Sequence, residues 1–195
     1  MKITTKLTLC DEPTTAAFEK AIDDALLVAN TKSLLILAND ADQWEAAKLN
    51  PILTRQSIPI FGGIFPYLIY AGKRLNQGTL IIGLNITPEL VVIENLSQGK
   101  EAIAEQLELN CSAIKKEKNL ITIVDGLAEN IERFIEGLYG ITGHDSTAIG
   151  CGAGGGDFIQ KPCLFSNKGM LFDAAMVAGI PTPFSLGLSH GWQVL

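Results

Sequence analysis

The stretch best equipped for chemistry is Ile149-Gly150-Cys151-Gly152-Ala153-Gly154-Gly155-Gly156-Asp157, with five glycines in seven positions. Glycines give up side-chain packing and lose much entropy on ordering, so an ordered loop of this kind needs a close backbone approach or a positive φ. A ligand supplies that need. Bare amides favour an anion, and Asp157 adds a carboxylate for a cation. The amides of Gly152, Gly154, Gly155 and Gly156 with Asp157 therefore suit a zwitterion, and Cys151 is the one thiol inside the run. The competing reading is a glycine-rich connection between two core strands. Gly150, Gly152 and Gly155 satisfy G-x-G-x-x-G, but no Lys-Ser/Thr follows and strand-like residues stand where a helix should open, which argues against a nucleotide site.

Other chemistry is sparse. Nucleophilic catalysis needs a base beside the nucleophile, and the chain has two histidines, His144 and His190. Cys151 with either is the single arrangement that suits a thiol-dependent enzyme, and it requires a lowered thiol pKa. The sequence contains no G-x-S-x-G, no H-E-x-x-H and no zinc-type cluster, so neither catalytic nor metal-binding residues are assigned. Asp40, Asp42 and Asp125 sit where helix capping explains them. Trp44, Phe134 and Phe158 are spaced as core residues, with pocket lining as the alternative.

At 195 residues with 47% hydrophobic content and a net charge of −6, the chain builds a sizeable core and lacks the basic face that nucleic acid requires. No long apolar run marks a signal peptide or membrane span. A cytoplasmic location is expected, where Cys10, Cys111, Cys151 and Cys163 remain thiols.

Periodicity then orders the elements. Ile3 to Leu9 alternates as a strand; Phe18, Ile22, Ala25, Leu26 and Ala29 share a helical face; Leu34 to Ala38 is a buried strand. A helix through Trp44, Ala47, Leu49 and Leu53 starts from Asn39, Asp40 and Asp42. Ile58 to Ile64 runs into a Gly62-Gly63 turn, Tyr67 to Tyr70 and Thr79 to Leu84 are strands, and Gly72-Lys73 turns between them. The second half repeats this plan: strand Leu90 to Ile93, helix Gly99 to Lys116, strand Leu120 to Val124, and helix Glu129 to Leu138 with Ile131, Phe134, Ile135 and Leu138 inward. Strands Thr147 to Cys151, Pro162 to Phe165 and Leu171 to Ile180 complete it. The order β-α-β-α-β-β-β, twice, predicts an α/β pseudo-twofold unit of packed sheets with helices outside, an αββα-like sandwich. The repeats cover about 1–86 and 87–181, and a terminal strand 182–195, centred on Phe184 to Leu188, follows. Thr79 to Leu84 aligns best with Ala174 to Gly179, and Phe61, Gly62 and Gly63 stand as the plain counterpart of the long glycine loop. The apolar segment bearing Trp192 so near the end suggests that more protein follows.

These residues resemble the N-terminal part of the FIST family of bacterial sensory domains. Ile149 to Asp157 is similar to that family's Gly-Gly-x-Ala-Gly-Asp segment, Leu164-Phe165-Ser166-Asn167-Lys168-Gly169 to its Phe-x-Asn-Gly turn, and Ser189-His190-Gly191-Trp192 to its Gly-Trp signature. The match runs from about Leu34 to the end, so residues 1–195 read as one FIST N-like domain without the family's C-terminal portion. It departs in an extra glycine and in Gly62-Gly63-Ile64, where members commonly carry Cys-Ser-Thr. The resemblance implies a cytosolic sensor of small molecules such as amino acids, coupled to a signalling output such as a histidine kinase. Its ligand would meet the glycine loop, Phe61, Gly62 and Gly63, and the end segment with His190 and Trp192. A haem-binding, nitric-oxide-sensing subset of the family gives the alternative cofactor, with His190 or His144 as axial ligand, His190 preferred, and Cys151, Cys163 and the methionines behind them. A half-domain whose partner supplies the function is the third reading.

Overall fold

A computed structural model describes residues 3–143 and 145–187. The first half contains β1 (Thr4–Cys10), α1 (Thr15–Leu26), β2 (Ser33–Asn39), α2 (Ala46–Leu53), β3 (Ile60–Phe65), β4 (Leu68–Tyr70), β5 (Lys73–Leu75) and β6 (Thr79–Leu84). The second contains β7 (Glu89–Glu94), α3 (Lys100–Asn110), β8 (Asn119–Asp125), α4 (Ile131–Thr142), β9 (Thr147–Ala153), β10 (Leu164–Ser166), β11 (Gly169–Leu171) and β12 (Ala174–Ile180).

One sheet runs β1-β6-β2-β3-β10-β11, and the other runs β7-β12-β8-β9. Each half orders its strands first, last, second, third, with one parallel pair, β2 to β3 or β8 to β9. The strands alternate as half-buried strands must. On the second sheet Leu90, Val92, Ile121, Ile123, Met176 and Ala178 face the first sheet. Val91, Ile93, Leu120, Val124, Ala175 and Val177 face Ile103, Leu107, Phe134 and Leu138 of α3 and α4. On the first sheet, Phe18 of α1 lies 5.2 Å from Trp44 and 6.4 Å from Phe165, ring centre to ring centre. The result is the expected αββα sandwich.

The registers align the halves residue by residue. Asn39 and Asp125 close β2 and β8, and each side chain accepts from the amide two residues on, Ala41 at 3.0 Å and Leu127 at 3.0 Å. Each also holds its hairpin's return: Asn39 Nδ2 donates to the Leu75 carbonyl, and Asp125 Oδ2 accepts from the Asp173 amide. From this anchor Leu34 corresponds to Leu120 and Ile36 to Thr122. Gly83 then matches Gly179, one residue away from the alignment that sequence similarity favours.

Several boundaries differ from expectation. Gly62 and Gly63 lie inside β3 and make no turn; Pro66-Tyr67 links it to β4. Ala71 and Gly72, both at positive φ, form a two-residue hairpin turn between β4 and β5, a strand the sequence reading lacks. Asn39 caps a short 3-10 turn at Asp40–Asp42, and α2 starts only at Ala46 with Pro51 inside it. Asp42 is buried and accepts from Gly78 N and Thr79 Oγ1, both at 2.7 Å, so it caps no helix. The segment expected as Leu171 to Ile180 breaks at Phe172-Asp173 into β11 and β12, with Asp173 at φ 48. Residues 183–187 form no strand, although Phe184 packs on the core; the rest of the expected terminal strand lies outside the described residues.

Candidate functional site

The glycine run divides between two places. Gly150, Cys151 and Gly152 belong to β9, which continues to Ala153, while Gly154 to Asp157 open the ten-residue crossover, 154–163, that carries the β10–β11 hairpin from one sheet to the other. The competing expectation of a strand connection therefore describes the second part, and an exposed strand edge describes the first.

The crossover closes on a charged cluster. Gly154 N donates to the Ile64 carbonyl at 2.8 Å, and Gly156 N donates to Asp40 Oδ2 at 3.1 Å. Lys161 Nζ sits 3.1 Å from Asp40 Oδ1 and 3.1 Å from Asp157 Oδ2. Gly155 leaves the room for this: a Cβ there would stand 2.7 Å from Asp157 Oδ1 and 2.8 Å from Asp40 Oδ1. The Ile159 amide and then Lys161 hold the Asp157 carboxyl below its ordinary range. Burial lowers the Lys161 pKa, but hydrogen bonds and attraction from Asp40 and Asp157 outweigh it and the net direction is upward. Beside the cluster lies a cleft of about 340 Å³ lined by Asp40, Gln43, Trp44, Glu45, Ala46, Ile64, Lys161 and Pro162.

The sequence reading put an external carboxylate on the amides and an external ammonium on Asp157. Here the Asp40 carboxylate takes the Gly156 amide, and the Lys161 ammonium takes Asp157. Asp40, expected as a helix cap, pairs instead with Gly156 N and Lys161, a residue that nothing in the sequence marks. Its spacing of four from Asp157 carries no signal outside a helix, and Asp40 is distant in sequence.

Along β9 a separate groove of about 410 Å³ runs between the strand and α4. Its walls are largely apolar: Thr122, Val124, Ile131, Phe134, Ile135, Leu138, Tyr139 and Ala148 surround Ile149, Gly150, Cys151 and Gly152. Ile135, expected to face inward, is 43% exposed along it. The Thr122 hydroxyl is buried without a hydrogen-bond partner among the described residues. Cys151 is exposed as a residue, yet desolvation of its sulfur pushes the thiol pKa up, opposite in direction to what a thiol nucleophile needs.

Phe61, Gly62 and Gly63 are brought to neither cleft. They are buried in β3 beneath β10; a Cβ on Gly62 would overlap the Ile36 carbonyl oxygen, and one on Gly63 would stand 2.9 Å from Ala153 Cβ. They serve strand and sheet packing. His190, Trp192 and His144 lie outside the described residues. The haem alternative calls on the imidazoles of His190 and His144, and both lie outside the described residues. Trp44 lines the polar cleft and Phe134 the groove, while Phe158 is 81% exposed. Among the described residues no group of three or more His, Cys, Asp and Glu side chains is placed to hold a metal ion. No described helix is long and apolar enough to cross a membrane.

The four-layer architecture, with its glycine crossover bridging the two sheets, defines an α/β sandwich domain with an apolar groove along β9 and a polar cleft beside the crossover. A family model for the FIST N domain matches residues 19–195, and the chain belongs to the FIST family of signal-transduction sensory domains. A search of curated proteins returned no match.

Proposed function

We propose that the chain is a cytosolic sensory domain that binds a small polar metabolite, of the amino-acid type, at the Asp40–Lys161–Asp157 cluster and the amides of Gly154 to Gly156. Binding is reported, without turnover, to a signalling output such as a histidine kinase. The observation that supports this reading is the single Lys161 ammonium set 3.1 Å from each of two carboxylates at the mouth of the cleft beside Trp44. An amino acid brings one carboxylate for Lys161 and one ammonium for Asp40 and Asp157, replacing ion pairs with ion pairs at no change in net charge. The Lys161–Asp157 pair, on the exposed Asp157 side, contributes little to stability, so its exchange costs the fold little. The loop that closes on the ligand continues directly from β9, so a ligand preferring one loop conformation shifts the strand with it.

Isothermal titration against a panel of amino acids and small carboxylates tests this. Saturable binding to one metabolite class is expected, lost in Asp157→Asn and in Lys161→Met while the melting temperature of each variant stays that of the parent. Binding that survives both substitutions, or a full panel without heat, overturns the assignment.

A further inference from the structure

The two equivalent strands, β3 and β9, are treated differently: β3 is paired on both sides and β9 ends its sheet. The registers set Phe61, Gly62 and Gly63 of β3 opposite Leu35, Ile36 and Leu37, and Ile149, Gly150 and Cys151 of β9 opposite Ile121, Thr122 and Ile123. With Ile36 equivalent to Thr122, Gly62 is equivalent to Gly150. A shared constraint supports the match: a Cβ on Gly150 would stand 2.5 Å from the Thr122 carbonyl oxygen, the contact that excludes one at Gly62 against Ile36.

On β3 the far side is taken. β10 pairs with it antiparallel, Leu164 opposite Gly63, Phe165 opposite Gly62 and Ser166 opposite Phe61. Phe165, the cross-strand partner of Gly62, is fully buried with its ring 6.4 Å from that of Phe18 on α1. On β9 the far side is bare among the described residues: Gly150, Cys151 and Gly152 are exposed and Ile149 is 38% exposed. The groove beside α4 is therefore the counterpart of the Phe165 seat, with Phe134, Ile135, Leu138 and Tyr139 as its helical wall.

Edge strands are normally guarded by charge, proline or shortness. Of the four edges of the two packed sheets, β1 carries Lys6, β7 carries Glu89 and Glu94, and β11 has three residues. β9 is seven residues long with neither charge nor proline. Its rim is acidic: Glu132 and Glu136 lie within four positions of Ile135 and Tyr139 on α4, hence beside them on the helix surface. The one cation within α4, Arg133, is already paired, 3.9 Å from Glu132 and 3.1 Å from Glu136.

We propose that the β9 edge and its groove receive an antiparallel β-strand of a partner polypeptide, one that places a large apolar side chain opposite Gly150 and carries Lys or Arg at its flanks. Main-chain hydrogen bonds to β9 supply affinity and the seat at Gly150 supplies selectivity, the two parts of strand addition. The chain's own hairpin has this chemistry, with Phe165 central and Lys161 and Lys168 flanking. This inference rests on the strand pairing and is independent of the ligand assigned to the polar cleft.

The probe is a fluorescein-labelled synthetic peptide of residues 161–172 carrying Cys163→Ser, titrated with the full chain and read by anisotropy. Saturable binding in the micromolar range is expected, weakened at least tenfold by Phe165→Ala in the peptide. Ile135→Glu and Tyr139→Glu in the protein alter exposed groove residues without touching the strand, so both variants fold, and both should abolish binding. A folded protein that ignores the peptide overturns the proposal, as does binding unaffected by Ile135→Glu, which would place the peptide on β3. A dimer that dissociates in Ile135→Glu and is not competed by the peptide also overturns it, by giving the edge to a second copy.

Discussion

β3 and β9 occupy equivalent places, each the third strand of its half and each carrying a glycine where a side chain would strike the neighbouring strand, yet one is a core strand and the other an edge. Ten residues make the difference. The crossover 154–163 is long enough to bring β10–β11 across to β3, whereas Pro66-Tyr67 ties the equivalent β4–β5 hairpin to the end of its own sheet. Coverage, not the local sequence, decides what each glycine does. Gly62 is paired on its far side by buried Phe165, and Gly150 has no strand on its far side among the described residues.

The largest effect that would break this comparison is at Gly62. Gly62→Ala drives a methyl into the Ile36 carbonyl in a strand buried on both faces, at φ 153. A cost of about 3 kcal/mol or more is expected from overpacking that cannot relax, seen as a soluble-expression failure or a collapsed urea midpoint. Gly150→Ala meets a carbonyl too, but on a free edge that can shift, so a smaller loss is expected. Equal losses would mean that β9 is held as firmly as β3.

Equivalent side chains sharpen the contrast. Phe61 is 1% exposed and Ile149 is 38% exposed. Phe61→Ala should cost about 3–5 kcal/mol, the usual range for a buried aromatic, and Ile149→Ala about 1 kcal/mol or less by the same urea titrations. A comparable cost at Ile149 would show that its side chain is buried in solution, with the β9 edge already covered.

Next come the strand-end anchors. Asp125 accepts from the Leu127 amide, the Asp173 amide and Gln160 Nε2, and is 1% exposed. Asn39 makes two bonds, accepting from the Ala41 amide and donating to the Leu75 carbonyl. Leaving buried donors unpaired costs about 1–3 kcal/mol each, so Asp125→Ala should destabilise more than Asn39→Ala. The reverse order would sink the view that these residues do one job in both halves.

The strand-helix order and the sandwich were legible in the sequence because long apolar runs and helical faces report burial directly: Leu34 to Ala38, Phe18-Ile22-Ala25, Phe134-Leu138. Three-residue strands such as β5 and β11 hold too few positions to show a period, and the break at Asp173 is a backbone event with no hydrophobic mark. At the site, the glycine run was legible as unusual but its division was not, since Gly150 and Gly154 differ only in what passes beside them. Asp40 resembled an ordinary cap for the same reason: its partners, Gly156 and Lys161, come from the other half of the chain.

The smallest expected effect separates the cysteines of the two regions. Burial and then Asp125 push Cys163, beneath the β3 side, up to about 12, and burial pushes Cys10 and Cys111 up to about 11. Their unfolded thiols titrate near 9.0. The native state therefore holds protons that the unfolded chain has released. Stability is full below about pH 9 and falls as pH rises toward 11 to 12. Cys151 shares the upward direction but is exposed in the groove. Iodoacetamide at pH 8 should thus modify Cys151 slowly, and Cys10, Cys111 and Cys163 not until the chain unfolds. The hairpin peptide should slow the reaction at Cys151 further by covering the β9 edge. Rapid modification at Cys151, faster than a model thiol, would reverse the direction assigned to its pKa and restore the thiol-enzyme reading.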